Sequence, residues 1–348
     1  MRLTAKIDRH VAAKVGSGRC FGTRLVNILE AVQRFAALGD IMVGGSQNLD
    51  REKLAARLRI LDSCSTYDYQ TTWKELRRRG NTSWFTMQPE YKDWKKRSES
   101  STLLYSGKPG AGKSFTLANM VDDLNLDQND NPPVAYFFCQ HEAPESLRAR
   151  TVIGSLAPQP LCTMKELTVV LEDLANTRAV RLDSDGVLRL LKRIIPPTTR
   201  AYFVLDGMDE CDEAQIEEII TCLQDIQDFH PLLACLSFRQ EAGNTMALRL
   251  DRLKYSEAIV IPENNPDIAE FIQAELVRQV ESSRLILGEP TVVLEIRDAL
   301  IAKAQGMFLW VVLQIGSLCL AKTDEAIRQA LANLPRDLPS TFCRILKQ

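Results

Sequence analysis

The sequence lacks the features that mark a membrane-spanning, metal-binding or nucleic-acid-binding protein. Its longest apolar stretch, Met307–Leu320, is interrupted by Gln314 and Ser317 and is shorter than the roughly 20 residues that cross a bilayer. The net charge is only −2, so no overall field attracts nucleic acid or anionic lipid. The three histidines are far apart, and none has a cysteine or a carboxylate at ligand spacing. We therefore expect no membrane span, no nucleic-acid partner and no histidine-based metal or nucleophilic site.

Targeting and redox signals are also scarce. The nine cysteines show no C-x-x-C pair or other metal spacing, which favours a reducing, intracellular setting. The first thirty residues contain scattered charges and no apolar core, so no secretory signal is predicted. Two basic clusters, 77–79 and 92–97, are interpreted as solvated helix faces. We expect a cytoplasmic protein.

One glycine-rich segment stands out against this background. It fits the phosphate-loop pattern G-x-x-x-x-G-K-[ST] with Gly107, Lys108, Pro109, Gly110, Ala111, Gly112, Lys113 and Ser114. A strand is predicted before it at 102–106 and a helix after it at 113–124, which is the context that the loop requires. Backbone N–H groups and the helix N-terminus would then surround a phosphate. We expect nucleotide binding by these eight residues and Phe115, with Lys113 on the outer phosphates and Ser114 on Mg²⁺.

A second segment supplies acidic side chains for the same site. Four apolar residues at 202–205 carry Asp206 to the carboxyl end of a strand, where α/β sheets bind ligands. Its carboxylate is predicted to hold Mg²⁺ opposite Ser114. Asp209 and Glu210 follow within one turn, and either could orient or deprotonate an attacking water; Glu210 is preferred. The predicted catalytic side chains are Lys113, Asp209, Glu210 and Arg239.

Arg239 ends the next predicted strand and is placed to contact a γ-phosphate. The base remains open, because the nearest match to the GTP-reading [NT]-K-x-D pattern is Ala321-Lys322-Thr323-Asp324. Its first residue is wrong and it lies between predicted helices. We expect ATP and Mg²⁺ as cofactors, with GTP as the other candidate.

Hydrophobic periodicity divides the chain into four regions. These are a helical N-terminal region at 1–62, a linker helix with an aromatic lead-in at 63–100, a nucleotide-binding core at 101–262 and a C-terminal helical bundle at 263–348. In the core, predicted strands (102–106, 134–139, 201–206, 232–237 and 257–261) alternate with predicted helices (113–124, 145–156, 165–176, 184–195 and 213–228). In the bundle, Asp267 is expected to cap a helix that ends near 281, followed by helices at 290–304, 307–321, 324–332 and 340–346. The fold class is α/β: a P-loop NTPase with a five-stranded, mainly parallel sheet, a short helical N-terminal region and a C-terminal helical bundle.

The motifs together resemble the NACHT NTPase domain of fungal NOD-like (STAND) proteins, the heterokaryon-incompatibility and ankyrin-repeat types with a nephrocystin-like N-terminal NTPase domain. The resemblance covers residues from about 60 to 346. It rests on the phosphate loop and on further segments in the same order: Asn81–Phe85 with Tyr91 and Trp94, Phe137-Phe138-Cys139, Leu205–Cys211, Ser237-Phe238-Arg239, Gly306–Val311 and Leu334–Pro339.

The resemblance implies a signalling switch that binds ATP, or GTP, with Mg²⁺ and hydrolyses it slowly, with protein partners or self-association through the NTPase domain. Phe238 departs from the family's small hydroxyl residue before the sensor arginine, which weakens the expectation of γ-phosphate sensing. The helical region before the core looks cut short, and the winged helix and repeats of the family are not seen, so a truncated chain is expected. The alternative function is a non-catalytic nucleotide-binding scaffold or regulatory fragment.

Overall fold

The computed structural model describes residues 62–78, 82–126, 132–163, 182–195, 197–239, 250 and 252–346. They all lie in one compact unit, Arg59–Gln348. Residues 1–61 of the predicted N-terminal helical region and the helix predicted at 165–176 lie outside the described residues. In the described part of the chain, no helix is both long and apolar enough to cross a bilayer.

A five-stranded parallel sheet organises the described residues. Three helices precede it, α1 (Gln70–Arg78), α2 (Trp84–Met87) and α3 (Pro89–Lys96). The strands are β1 (Ser101–Gly107), β2 (Val134–Phe138), β3 (Ala201–Asp206), β4 (Leu232–Arg239) and β5 (Ser256–Val260). Their order in the sheet is β2-β3-β4-β1-β5. The predicted α/β P-loop architecture is confirmed, and the strand order brings the carboxyl ends of β1, β3 and β4 side by side.

Helices cover both faces of this sheet, which explains why its inner strands are almost entirely buried. Between the strands run α4 (Lys113–Asn125), α5 (Ala149–Leu156), α6 (Pro158–Thr163), α7 (Ser184–Ile194) and α8 (Glu213–Phe229). Every residue of β3 is buried, as expected for a parallel strand with helices on each side. One face packs against α5, α7 and α8 in a single apolar core.

The opposite face is covered by α4 and by the helices that precede the sheet. Trp73 of α1 packs its ring against Tyr136, and Trp94 of α3 packs against Tyr202. The Trp73 indole N–H also donates to the Ala118 carbonyl of α4 at 3.3 Å. The aromatic lead-in is thus packed against this face of the sheet.

Within the basic cluster at 77–79, the interpretation as a solvated helix face is wrong for Arg77. Arg77 is buried, and its guanidinium binds Asp122 and Asn119 of α4. Nothing in the local charge pattern shows this partner, because Asp122 lies 45 residues further along the chain, in the helix that follows β1.

The C-terminal bundle has its own apolar core. It contains α9 (Asp267–Glu281), α10 (Val292–Lys303), α11 (Phe308–Leu318), α12 (Asp324–Ala332) and α13 (Leu338–Ile345). Two details differ from expectation. Asp267 is the first residue of α9 rather than its cap, and its carboxylate instead accepts hydrogen bonds from Thr82 and from the Trp84 backbone. Pro339 lies in the first turn of α13, where a missing N–H costs little, and Asp337 caps that helix.

The predicted helix at 145–156 is divided into two pieces. A 3₁₀ helix at Pro144–Leu147 is followed by α5, and Arg148 between them is extended. An extended residue cannot continue an α-helix, so the apolar pattern spans two elements.

Candidate functional site

The phosphate loop lies between β1 and α4 and has the backbone shape of an anion cradle. Gly110 and Gly112 have φ values of 75° and 86°, a left-handed conformation that side chains with a Cβ rarely adopt. Gly112 is the N-cap of α4, so the free N–H groups of the first helical turn face the loop. Lys108, Pro109, Gly110, Gly112, Lys113, Ser114 and Phe115 line a cavity of about 910 Å³. Two predicted residues are outside that lining, Gly107 at the end of β1 and the buried Ala111.

The two lysines of the loop differ in their surroundings. The Lys113 ammonium donates to the Gly107 carbonyl at 2.8 Å and to the Lys108 carbonyl at 3.1 Å, so it is held across the loop. Lys108 instead points outward and forms an exposed ion pair with Glu263. Lys113 is therefore the cation that the fold directs at the loop.

Asp206 ends β3 next to the start of α4. It is only 4% exposed, and burial raises the pKa of its carboxyl, against the opposing effect of hydrogen bonds from Ser114 and Ser237. The Ser237 hydroxyl donates to Asp206 and accepts from the Gly207 N–H at 3.2 Å. The predicted pair of Ser114 and Asp206 therefore lies together at the sheet edge.

These oxygen atoms suit a magnesium ion that is shared with a nucleotide. Mg²⁺ prefers hard oxygen ligands and usually takes one or two from the protein and the rest from phosphates and water. A hydroxyl and a buried carboxylate, whose ionised form needs a cation nearby, fit that requirement. Among the described residues, no group of three or more His, Cys, Asp and Glu side chains is arranged to hold a metal ion.

Asp209, Glu210 and Arg239 form one ionic cluster beside Asp206. The Arg239 backbone N–H donates to Asp209 at 3.1 Å, and its Nε lies 3.3 Å from the same carboxylate. The Arg239 Nη2 forms an ion pair with Glu210. The arginine side chain is 42% exposed, whereas the two acids are 12% and 15% exposed. Asp209 is thus held by Arg239 at two points, while the Glu210 carboxylate is contacted by the end of the Arg239 side chain and by the exposed His141 ring.

The C-terminal bundle lies directly over the phosphate loop. The Leu309 N–H, in the first turn of α11, donates to the Gly110 carbonyl at 3.2 Å. A Cβ added at Gly112 would be 3.1 Å from the Phe308 ring, so loop and bundle are in close contact. The 910 Å³ cavity continues between them and has a mainly apolar wall on the bundle side, which includes Phe271, Val312 and Phe342.

A second, more polar cavity of about 700 Å³ opens on the other side of Ser114. Helix α1 forms part of its wall through Thr72, Glu75 and Leu76. His141, at 81% side-chain exposure, lies across from them with its Nδ1 3.6 Å from Glu210. The cavity therefore surrounds the acidic cluster with residues that come from far apart in the chain.

Sequence reasoning missed three parts of this site. Ser237, rather than residue 238, supplies the hydroxyl at the end of β4, and Phe238 packs against the sheet core. The wall formed by α1 and the cover formed by α11 were also unexpected, because both depend on tertiary packing. The strand-end position of Ser237 was a signal that could have been used.

The chain was compared with known protein families and structures. Residues 80–236 match the family model described as nephrocystin 3, N-terminal. Vegetative incompatibility protein HET-E-1 of Podospora anserina is 24% identical, over 76% of this chain and 20% of the relative. The chain therefore spans about a fifth of the length of this curated relative. Both findings confirm the resemblance given above.

Solved structures give a weaker likeness. Cdc6p from Pyrobaculum aerophilum has a TM-score of 0.41 at 14% identity, over 73% of this chain and 63% of that one. The Walker-type ATPase PABY2304 of Pyrococcus abyssi also has a TM-score of 0.41 at 14% identity, over 76% and 79%. At TM-scores this low the likeness carries no argument about ligands or activity.

Proposed function

We propose that this NACHT-like P-loop NTPase binds ATP together with Mg²⁺, hydrolyses it slowly and acts in the cytoplasm as a STAND-type signalling switch. GTP remains the alternative base. The observation that carries the proposal is the meeting of three strand ends: the loop after β1 with Lys113, the Asp206 carboxylate of β3, and Arg239 of β4.

Different residues of the chain would bind the phosphates and the Mg²⁺. The loop N–H groups and the α4 N-terminus stabilise the phosphate charge, and the Lys113 ammonium exchanges its loop carbonyls for outer phosphate oxygens. Ser114 and Asp206 would hold the Mg²⁺, which when bound neutralises developing charge on the phosphates. Ser237 keeps the Asp206 carboxylate oriented through its hydroxyl hydrogen bond.

Glu210 is the better candidate for orienting water. Asp209 is occupied by both the backbone and the side chain of Arg239. Glu210 lines both cavities and meets only the ends of Arg239 and His141. A γ-phosphate that attracted the Arg239 guanidinium would release Glu210 for general-base work, so hydrolysis is slow until that exchange occurs.

The switch would act through the bundle. Because α11 contacts the loop through Leu309 and Phe308, nucleotide exchange requires the bundle to move away from the loop. A trigger that weakens this contact would therefore speed exchange, and the exposed surfaces would be free for protein partners or self-association.

A second candidate function has a specific observation in its favour. Arg239 neutralises both acids that could activate water, which also suits a module that retains nucleotide without hydrolysing it. Such a scaffold would bind ATP tightly and release no phosphate over many hours. Repeated turnover by each molecule would exclude it.

Substitution of the two loop lysines tests binding. Lys113→Ala removes a charge-assisted contact to phosphate and should weaken ATP affinity at least about 30-fold. Lys108→Ala is the matched control, and because its ion pair is exposed it should change affinity less than about threefold. Thermal-shift titration with ATP, ADP and GTP measures these effects and the base preference. Equal ATP affinity in Lys113→Ala and in the native chain would disprove the proposed site.

Glu210→Gln tests hydrolysis separately. The variant should bind ATP about as tightly as the native chain but release phosphate about 100-fold more slowly, because the amide cannot accept a proton from water. Phosphate release measured at high protein concentration decides the point. An unchanged rate would remove Glu210 from the proposed mechanism.

A further inference from the structure

Two cysteines meet beside the acidic cluster. The sulfur atoms of Cys139 and Cys211 lie 3.7 Å apart, within the range of an S–H···S hydrogen bond. Both are free thiols and both are largely buried, at 7% exposure. Their separation along the chain is 72 residues, so the fold alone brings them together.

Each thiol is attached to a part of the proposed site. Cys139 follows β2, its N–H donates to the Asp206 carbonyl at 3.0 Å, and it lines both cavities. Cys211 ends the short 3₁₀ turn Met208–Glu210 that carries the two acids. Gly207 lies between Asp206 and the acidic turn. A Cβ added to Gly207 would be 3.0 Å from the Cys139 carbonyl oxygen and 3.4 Å from the Cys139 Cβ. The strand end and the acidic turn are therefore in close contact next to the sulfur pair.

We propose that Cys139 and Cys211 form a reversible disulfide under oxidation by a peroxide, and that this bond ties the acidic turn to the end of β2 and slows hydrolysis. The effect on hydrolysis rests on the proposed function, whereas the formation of the disulfide does not. Cytosolic disulfides, where they occur, are usually transient and redox-sensing.

The chemistry balances with hydrogen peroxide as oxidant. A Cys211 thiolate attacks one peroxide oxygen, the O–O bond breaks, and hydroxide leaves and takes a solvent proton to become water. The sulfur of Cys139 then attacks the Cys211 sulfenic acid, and the S–O bond breaks. The departing hydroxide takes the Cys139 thiol proton, which gives the second water. Both sulfur atoms are oxidised and the peroxide is reduced. The contact with Cys139 also lowers the pKa of Cys211, which favours its reactive form.

Bond formation would displace the acidic turn. The sulfur atoms are 3.7 Å apart and an S–S bond is about 2.05 Å long, so together they must approach by about 1.6 Å. Glu210 is the residue directly before Cys211, and a misplacement of about 1 Å can cost roughly 100-fold in rate. The phosphate loop contains neither cysteine, so nucleotide binding should be retained.

The test uses the full chain treated with hydrogen peroxide. Peptide mapping by mass spectrometry without reductant should find the Cys139–Cys211 pair, and dithiothreitol should remove it. Phosphate release should fall at least about tenfold in the oxidised chain, with ATP affinity changed less than about threefold. The ratio of rates with and without peroxide should stay near one in Cys211→Ser.

Cys343→Ser is the matched control, because Cys343 is an exposed thiol on α13 and its loss should leave the peroxide effect intact. A map without the Cys139–Cys211 pair, or a disulfide that leaves phosphate release unchanged, would overturn the proposal. If the reduced chain shows no hydrolysis at all, the proposed function fails, and the map still decides whether the thiol pair is oxidised.

Discussion

Replacing Asp206 with asparagine should stabilise the protein without ligand and at the same time remove its response to Mg²⁺ and nucleotide. The buried carboxylate has a raised pKa, caused first by burial, so its ionised form is less favourable in the folded chain than in water. Asparagine has nearly the same shape and can still accept from Ser237. It removes the buried charge, and with it a ligand for the metal.

The two effects have different sizes. In a chain of 348 residues, a gain of about 1 kcal/mol without ligand would raise Tm by roughly 1 to 2 °C. For the native chain, nucleotide at 100 times Kd adds about 2.7 kcal/mol. If the lost ligand weakens binding by about 100-fold, the same concentration adds only about 0.4 kcal/mol. The ligand-dependent shift in Tm should therefore nearly disappear.

The difference between the two chains should also depend on pH. The pKa of Asp206 is raised in the folded state, so the protonated carboxyl stabilises the fold. This stabilisation is complete below the pKa of the unfolded chain and is lost as pH rises through the pKa of the folded chain. The advantage of Asp206→Asn without ligand should be largest at neutral pH and should shrink as pH falls.

Differential scanning fluorimetry with and without Mg²⁺ and ATP measures all three effects. Asp212→Asn is the control, because Asp212 is an exposed N-cap of α8 that asparagine can replace. A lower Tm for Asp206→Asn without ligand, or an unchanged shift with Mg²⁺ and ATP, would refute this explanation.

Two further predictions concern groups that support the site. Arg77→Ala should lower the free energy of unfolding by about 3 kcal/mol, because it leaves the Asp122 carboxylate, which is only 12% exposed, without its guanidinium partner. Urea denaturation measures this, and a loss below about 1 kcal/mol would mean that α1 is not anchored by that pair. Ser237→Ala removes the hydroxyl that donates to Asp206 and should cost about 1 kcal/mol in stability. It should also weaken Mg²⁺-dependent ATP binding several-fold in a titration, and unchanged affinity would show that the hydroxyl does not orient the carboxylate.

The residues at the carboxyl ends of β1, β3 and β4 could be predicted from sequence because the motifs that mark them are local. The loop motif, the apolar run before Asp206 and the strand that ends at Arg239 each lie within about ten residues, and parallel strands align their carboxyl ends. The strand order is not local, since it depends on which strands pair after the chain has crossed the sheet. That order places Ser237 beside Asp206. Because the pairing of β3 with β4 is not visible in the sequence, attention went to the unusual Phe238 and not to Ser237.

Tertiary contacts account for the other misses. A cluster of three arginines has the same local pattern whether it is solvated or buried, and only the packing of α1 on α4 gives Arg77 its partner. Cys139 and Cys211 show no spacing signal, because separate strands bring them together. The roles of Lys113, Asp209, Glu210 and Arg239 remain predictions, and the experiments above test those of Lys113 and Glu210.

The wall that α1 contributes to the polar cavity bears on where the P-loop NTPase domain begins in this chain. The family match starts at residue 80, but Thr72, Glu75 and Leu76 already line the cavity. A fragment that begins at residue 80 would lack α1 and therefore this wall of the cavity. It would also lose the contacts of Trp73 and Arg77 with α4. The same two anchors fix α1 to the helix that starts at the phosphate loop, so a shift of α1 would also displace α4.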